Sequence, residues 1–469
     1  MIRTRFAPSP TGFIHIGNLR SAIFTYLIAK GDRNGKFILR IEDTDQKRYV
    51  EGATEVIYET LKTCGLNWDE GPDKDGGFGP YIQSERVGSY EKYAEELVSK
   101  GEAYKCFCSE DRLNALREEA QSKKENFFYD GHCKHLTEEE VNEKVNAGEE
   151  YVIRQVTPNE GETSFDCQVY GHIKIQNDQI EDQILLKSDK FPTYNFANVI
   201  DDHSMNITHV VRGNEYLTST PKYTLLYNAF GWDEPIYVHL PHVVNNEGKK
   251  YSKRDGDGFF SEFMEKGYLP EALVNFLALL GWSPEGKKEK FTLDKLEKVF
   301  NIKRINNSPA VFDIKKLNWM NSQYIKTMDQ ERYITMAKGF LDADGIDTSN
   351  EVWLNDFCML YKDRLDNVGQ VVEYHHELFK PFEMESDAKV FLEENDCDKT
   401  IEVFLGLLSD LDEFTAENIK EAINKTGELA EVKGKELFMP VRIATTGTMH
   451  GPDLPKALAL LGKDRVLNK

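Results

Sequence analysis

Apolar residues recur at helical spacing between Asn18 and Lys30, at Leu19, Ala22, Ile23, Tyr26 and Leu27, which predicts a helix with Asn18 suited to its N-cap. Residues 3–8 before it read as a strand. Lys36 to Glu42 after it alternates, with Phe37, Leu39 and Ile41 on one face and Ile38, Arg40 and Glu42 on the other. Strand, helix and strand in this order predict a βαβ unit and a parallel sheet, whose ligands sit at the carboxyl ends of its strands. Helical patterns follow at 52–64 and 84–100.

The pattern changes between 101 and 190, where charged helical stretches (110–120, 137–147) alternate with short strand-like runs at 151–154 and 172–175. This predicts an α+β insertion into the sheet domain. Sheet-like sequence resumes at 207–212 and 236–240. Beyond Leu269 the chain turns helical, with Pro270 suited to a first turn and Leu273, Phe276, Leu277 and Leu280 on one stripe. Only 4 of the 16 prolines lie after 322, and strand-like runs almost vanish there, so 323–469 is expected to be all-helical. No internal repeat or low-complexity linker interrupts the chain.

With 469 residues, 40% hydrophobic and 29% charged, the composition is that of a globular protein large enough for about three domains. No apolar run reaches the about 18 residues that a membrane span needs. Met1-Ile2-Arg3-Thr4-Arg5 runs straight into strand-like sequence without the apolar centre of a signal peptide, so a cytoplasmic protein is expected. A net charge of -22 argues against nonspecific adhesion to nucleic acid but allows a local basic face. Seven cysteines in so long a chain do not make a disulfide framework, and three of them cluster between 106 and 133.

Two segments carry the candidate chemistry. In the first, Ala7-Pro8-Ser9-Pro10-Thr11-Gly12-Phe13-Ile14-His15-Ile16-Gly17-Asn18, prolines and glycine hold an extended turn, and Gly17 lets a flat base lie close to the backbone. His15 stands at a helix N-terminus, where N–H groups and the helix dipole favour phosphate. Alone, it reads equally as a structural turn with a surface histidine. In the second, Lys249, Lys250, Lys253 and Arg254 fall within six residues; alone, this is a solvated basic loop. Together they form a clamp for a nucleoside triphosphate, because displacement at an α-phosphate needs cations on the leaving pyrophosphate more than a protein nucleophile.

His15-Ile16-Gly17-Asn18 and Lys250-Tyr251-Ser252-Lys253-Arg254 resemble the two signatures of class I aminoacyl-tRNA synthetases. Arg5-Phe6-Ala7-Pro8-Ser9-Pro10-Thr11-Gly12, Arg40-Ile41-Glu42-Asp43-Thr44-Asp45, Pro192-Thr193-Tyr194-Asn195-Phe196-Ala197-Asn198 and Thr208-His209-Val210-Val211-Arg212-Gly213 resemble the glutamyl-tRNA synthetases of the bacterial type. The likeness runs on through Gly434 to Arg442 and Leu461 to Arg465. Departures are Asn18 for the second signature histidine, Tyr251 for methionine, and lysines in Leu186 to Phe191.

The resemblance implies an α/β fold in which a Rossmann-like parallel-sheet catalytic domain (1–100 and 191–240) holds an inserted α+β domain (101–190) for the tRNA acceptor end. A stem-contact region (241–322) with the lysine-rich loop follows, and then an all-helical anticodon-binding region (323–469). It implies L-glutamate, ATP, Mg2+ and tRNA(Glu) as ligands, no membrane, and a monomer. By that resemblance His15, Lys250 and Lys253 are catalytic, and His15, Gly17, Asn18, Lys250, Ser252 and Lys253 bind ATP.

The amino-acid pocket has its own physical reading. A side-chain carboxylate wants a planar two-pronged donor, and Arg5 and Arg212 each stand beside a strand end. The ammonium wants a carboxylate, and Glu42 fits. The resemblance gives Arg212 the γ-carboxylate and adds Tyr194, Ala7 through its backbone, Ser9 and Asn198. Cys106-Phe107-Cys108 followed by Cys133-Lys134-His135 has spacing suited to tetrahedral zinc, with Tyr129 an alternative fourth ligand to His135; three reduced, buried cysteines are the other reading. Glutaminyl-tRNA synthetase is disfavoured by the helical tail, a glutamyl-queuosine enzyme by the tail's presence, and a catalytically silent RNA-binding relative by intact His15, Lys250 and Lys253.

Overall fold

A computed structural model describes residues 1–45, 48–125, 127–251 and 258–468. The chain divides into two compact units, Met1–Glu262 with Leu273–Asp313, and Phe263–Ala272 with Ile314–Lys469.

The first unit is organised by a six-stranded sheet. Its strands are β1 (Arg3–Phe6), β2 (Lys36–Leu39), β5 (Glu162–Cys167), β6 (Gly171–Gln176), β8 (His209–Gly213) and β9 (Ile236–Leu240), in the order β2-β1-β8-β9-β5-β6. All neighbours are parallel except the β5–β6 hairpin. β3 (Ala103–Cys106), β4 (Val152–Gln155) and β7 (Ile184–Leu186) form a separate three-stranded antiparallel sheet. The remaining pair is β10 (Val243–Val244) with β11 (Ala310–Val311).

Helix α1 (Ile16–Lys30) connects β1 to β2 and is buried nearly all round, from Leu19 through Ala29. It starts three residues earlier than the apolar spacing predicts. His15, not Asn18, is the N-cap, because the His15 Nδ1 accepts the Gly17 N–H at 3.1 Å. β1 ends at Phe6 rather than residue 8, since Pro8 and Pro10 have no N–H to give a ladder. β2 is shorter than the expected 36–42, yet Arg40 and Glu42 still donate their N–H groups to Phe6 and Pro8 carbonyls, each at 3.0 Å. Both faces of this segment are buried, so the expected division into an inner and an outer face does not occur.

The hairpin at 162–176 belongs to the large sheet and not to the inserted sheet expected between 101 and 190: Cys167 pairs with Tyr237 of β9. Thr163, Phe165 and Cys167 alternate inward, which gives β5 one apolar face to lay on the core.

In the second unit the described residues from 314 on carry helices and no strand. Helix α11 (Ile314–Thr327) crosses the boundary expected at 322/323. The core here includes Phe404, Leu408, Ile419, Ile423, Val441 and Leu458.

Strand β1 is tied to the chain beyond β2 by a buried ion pair. Arg3 Nη1 and Nη2 donate to the two Glu70 oxygens at 2.7 and 2.8 Å, and Tyr81 donates to Oε2 at 3.1 Å. Both charges are almost inaccessible. Glu70→Gln leaves the Arg3 charge buried without its counter-ion, and is expected to cost about 3–5 kcal/mol of stability, read as earlier unfolding of this unit in urea.

Candidate active site

The chain leaves β1 in one direction to reach β2, and the neighbour on its other side is β8. The crevice at the carboxyl ends of β1 and β8 is therefore a topological switch point. A cavity of about 770 Å3 opens there. Arg5, Ala7 and Ser9 line it from the end of β1, Glu42 from beyond β2, and Arg212 from β8. Tyr194 enters from the first turn of α6 (Tyr194–Ser204). His15, Gly17 and Asn18 at the start of α1 form a second wall, and Lys250 a third. Asn198 is placed otherwise. It is absent from the lining, and its amide donates to the Tyr194 carbonyl one turn back at 2.9 Å. Ser252 and Lys253 lie outside the described residues.

Beneath the cavity the charges are matched in a chain. Arg40 is fully buried and donates to Asp202 at 2.7 Å and to Glu42 at 3.0 Å. Arg5 donates to the same Asp202 oxygen at 2.9 Å. Burial raises the Asp202 carboxyl, but Arg5 and Arg40 together hold it below its ordinary value. Burial pushes Glu42 the other way, above its ordinary value, against the pull of Arg40 and Arg5. Arg5 and Arg40 thus meet Asp202 and Glu42, and Asp201, 3.9 Å from Arg40, is paired with Arg86 at 2.7 Å.

Arg212 has no such match. Its guanidinium carbon sits 4.4 Å from the Tyr223 ring centre, 5.2 Å from Tyr216 and 5.4 Å from Tyr237. Its Nη2 donates to Thr220 Oγ1 at 3.2 Å, and its buried Nη1 has no partner. Among the described residues no carboxylate pairs with it. Arg212 is therefore an uncompensated positive charge in an aromatic cage; Arg20, which also lines the cavity, gives its protons to backbone carbonyls and has no carboxylate partner among the described residues either.

At the α1 wall, the bond from Gly17 N–H fixes His15 Nδ1 as an acceptor and puts the proton of the neutral ring on Nε2. A Cβ at Gly17 would meet only His15 Nδ1, at 3.4 Å, so the protein's own packing does not demand glycine there. Arg20, one turn on, donates to the carbonyls of Pro241 and Leu280, each at 2.7 Å, and so ties α1 to the segment that leads to Lys250.

A separate cluster lies in the 101–190 region. The Cys106, Cys108 and Cys133 sulfurs all fall within 4.8 Å of one another. The Tyr129 hydroxyl stands 3.3 Å from Cys106 and from Cys108, and accepts the Cys133 N–H at 3.1 Å. A hydrogen bond from Cys133 pulls the Cys106 thiol down to about 4, against its burial. His135 is exposed and stands outside the cluster, so it is not brought to the place expected of it; Tyr129 is.

Sequence reasoning missed Arg40, Asp202, Tyr216 and Thr220. Two signals were present. Asp201-Asp202 interrupts an apolar helix, and Arg40-x-Glu42 sets opposite charges two apart on a strand. Tyr216 and Thr220 carry no comparable mark.

Residues 1–319 match the family described as tRNA synthetases class I (E and Q), catalytic domain, and residues 332–469 match an anticodon binding domain. A switch-point cavity walled by the His15 turn and by the strand-loop of Lys250 fits that family's two signatures. The chain is a class I aminoacyl-tRNA synthetase. A glutamate–tRNA ligase of Clostridium botulinum (strain Hall) is 48% identical over all of this chain and 97% of its own length. One from Clostridium acetobutylicum is 47% identical with the same coverage. Among solved structures, a glutamate–tRNA ligase of Elizabethkingia meningosepticum in complex with its amino acid is 35% identical, with a TM-score of 0.89 over 100% of this chain and 98% of that one. The glutamate–tRNA synthetase of Elizabethkingia anophelis gives 0.92 at the same identity and coverage. The chain belongs to the glutamate–tRNA ligase family and is an ATP-dependent ligase. No helix of its described residues is long and apolar enough to cross a membrane.

Glu42 accepts an ammonium only when ionised, and its carboxyl is raised above the ordinary 4.5. Glutamate affinity is therefore expected to weaken as the pH falls from 7 towards that raised value. Titration calorimetry on the wild type and on Glu42→Gln separates this from protonation of the ligand: the variant binds weakly throughout and loses the wild type's pH dependence. Wild-type affinity that strengthens on acidification contradicts the assignment.

Proposed function

We propose that this cavity condenses L-glutamate with ATP to glutamyl-adenylate and delivers the glutamate to the 3′ end of tRNA(Glu). The observation that carries the reading is the uncompensated charge of Arg212 beside a matched set of charges. Glutamate brings two carboxylates and one ammonium. Its γ-carboxylate goes to Arg212 and its ammonium to Glu42, which leaves the α-carboxylate unclaimed and nucleophilic. Glutamine, with an amide in place of the γ-carboxylate, leaves Arg212 buried and unpaired, a loss of about 3–5 kcal/mol.

The α-carboxylate then attacks the α-phosphate of ATP in line, and pyrophosphate leaves. No general base is needed, because the nucleophile is already an anion. His15, through its Nε2 proton, and the positive end of the α1 dipole meet the phosphates from one side. Lys250 and Lys253 meet the pyrophosphate from the other as its charge grows. Glu215 at the cavity wall is a carboxylate that would help hold Mg2+, which would supply further positive charge for the leaving group. The terminal ribose hydroxyl of the tRNA next attacks the adenylate carbonyl, and AMP leaves. The helical region 332–469 is the part suited to the anticodon. With a net charge of -22, tRNA contacts must be confined to basic patches, and affinity falls steeply with salt.

Cys106, Cys108, Cys133 and Tyr129 hold zinc in this reading. Tetrahedral thiolates at the usual zinc–sulfur distance stand about 3.8 Å apart, and Cys108 and Cys133 are 3.6 Å apart. Zinc there would cross-link three segments that already pack Phe107, Leu113 and Leu136 around the site.

Two outcomes follow from this reading. Arg212→Ala lowers kcat/KM for glutamate by about 1,000-fold or more in ATP–pyrophosphate exchange with tRNA present, as about 4 kcal/mol requires; normal glutamate affinity in that variant ends the assignment. Metal analysis of the purified protein finds zinc, and its removal by a chelator lowers the melting temperature of the 101–190 region while ATP affinity stays unchanged. A zinc-free, fully folded preparation ends the zinc reading and leaves the adenylation chemistry untouched.

A further inference from the structure

The structure assigns His239 a positioning role: as a neutral acceptor it orients Arg212 without matching its charge, and so sets the preference for the carboxylate of glutamate over a neutral amide. The role rests on the reading that Arg212 takes the γ-carboxylate.

His239 lies in β9 directly beside Arg212 of β8, as its partner in the parallel register. It is fully buried and does not line the cavity. The Arg212 Nε–H points to His239 Nε2 at 3.4 Å. A guanidinium N–H can only donate, so Nε2 must carry the lone pair. The ring proton is then on Nδ1, which faces the Cys167 sulfur at 3.4 Å. Thr220 completes the set. Its Oγ1 donates to the Tyr216 carbonyl at 2.8 Å, accepts from Arg212 Nη2 at 3.2 Å, and lies 3.1 Å from Nε2. With Nε2 accepting from Arg212 and the Thr220 proton on the Tyr216 carbonyl, the 3.1 Å approach of Thr220 to Nε2 is not a hydrogen bond, so the Arg212 N–H alone places the ring proton on Nδ1, and that ring is neutral.

The surroundings keep it so. Burial first, and then the charge of Arg212, pushes the imidazole down to about 3. The other groups facing the ring are Phe165, Tyr237, Thr220 and Cys167. No carboxylate faces it among the described residues.

The contrast with the neighbouring arginines gives the arrangement its meaning. Arg5 and Arg40 are held by carboxylates, which fix their direction and cancel their charge. An aspartate or glutamate behind Arg212 would orient it equally well and leave nothing for a ligand's carboxylate to neutralise. A neutral imidazole fixes direction alone. Histidine meets this need because it is an acceptor that burial beside a cation keeps uncharged.

Three variants and one spectrum test this. His239→Leu removes the acceptor and raises the KM for glutamate about 10-fold while the KM for ATP changes less than about 2-fold. His239→Gln, which returns an acceptor, restores most of the glutamate KM. His239→Glu supplies the missing counter-charge and lowers the ratio of kcat/KM for glutamate to that for glutamine by about 100-fold. In 15N-histidine spectra of the wild type, one ring keeps its proton on Nδ1 and does not titrate down to pH 5. A folded His239→Leu with the wild-type glutamate KM, or a His239→Glu with an unchanged ratio, overturns the role. Should no variant fold, the spectrum still decides: a His239 ring that titrates near 6.5, or carries its proton on Nε2, overturns it. Arg212→Ala separates the two readings. If it keeps the wild-type glutamate KM, the pocket reading itself falls; if it loses glutamate while His239→Leu does not, only the positioning role falls.

Discussion

The active site hangs on one guanidinium that no ligand touches. Arg40 is fully buried, and its bonds to Asp202 and Glu42 join the chain beyond β2 to helix α6. Through the shared Asp202 oxygen it also fixes Arg5 at the end of β1. Three segments far apart in sequence are thereby held at one crevice. The pairing has an electrostatic consequence as well. A lone buried carboxylate would take up a proton; Glu42 beside Arg40 keeps a reason to stay ionised although burial raises it. Asp202, between two arginines, is held firmly in its charged form. A neutral foundation of this kind costs little to bury, because each charge is bonded to its opposite.

Against that foundation the surplus charge of Arg212 acquires direction. An uncompensated cation in a protein interior is expensive unless its surroundings are polarisable or bonded. Here the faces of Tyr223, Tyr216 and Tyr237 surround it, and Thr220 and His239 accept two of its protons. The aromatic faces lower the cost of burying the charge without neutralising it. The Nη1 protons, which have no partner, and the second Nη2 proton are left for a ligand. Selectivity for an acidic amino acid then follows from charge balance and not from pocket size.

Much of this was legible in the chain. The βαβ periodicity of 3–42, the helical tail and the two phosphate segments placed the cavity, since a parallel sheet presents its loops at the carboxyl ends of its strands. Helix starts were less legible. A histidine cap on α1 competes with Asn18, and only the bond from Gly17 N–H to Nδ1 decides between them. The hairpin at 162–176 misled for a different reason: its alternation reports one buried face, and says nothing of which sheet that face covers. His135 and Tyr129 show the same limit. Sequence spacing brought both near Cys133, and the chain's path sent one outward and one inward. The bond of the Asn198 amide to the Tyr194 carbonyl in its own helix was likewise not legible in the sequence. Arg40 and Thr220 escaped notice because their work is done behind the residues that face the ligand.

The division of labour between the two walls follows from what each must do during the reaction. The amino-acid wall recognises charges that are present before and after adenylation: the ammonium and the γ-carboxylate do not change as the α-carboxylate becomes a mixed anhydride with the phosphate. Preset, buried and rigid partners suit such groups, and Glu42 and Arg212 are 4% and 6% exposed. The pyrophosphate wall faces charge that moves, growing on the leaving group as the bond to the α-phosphate breaks. Its lysine, Lys250, is exposed on a short bridge to Val244 next to β10, and can follow a leaving group without losing a bonded partner in the interior. Between them, α1 presents His15 and the positive end of its dipole to the phosphates, while its first N–H groups are bonded to Gly258 and His15. Arg20 links these two behaviours mechanically. By gripping the Pro241 carbonyl from α1, it anchors the root of the lysine segment to the helix beside the phosphates.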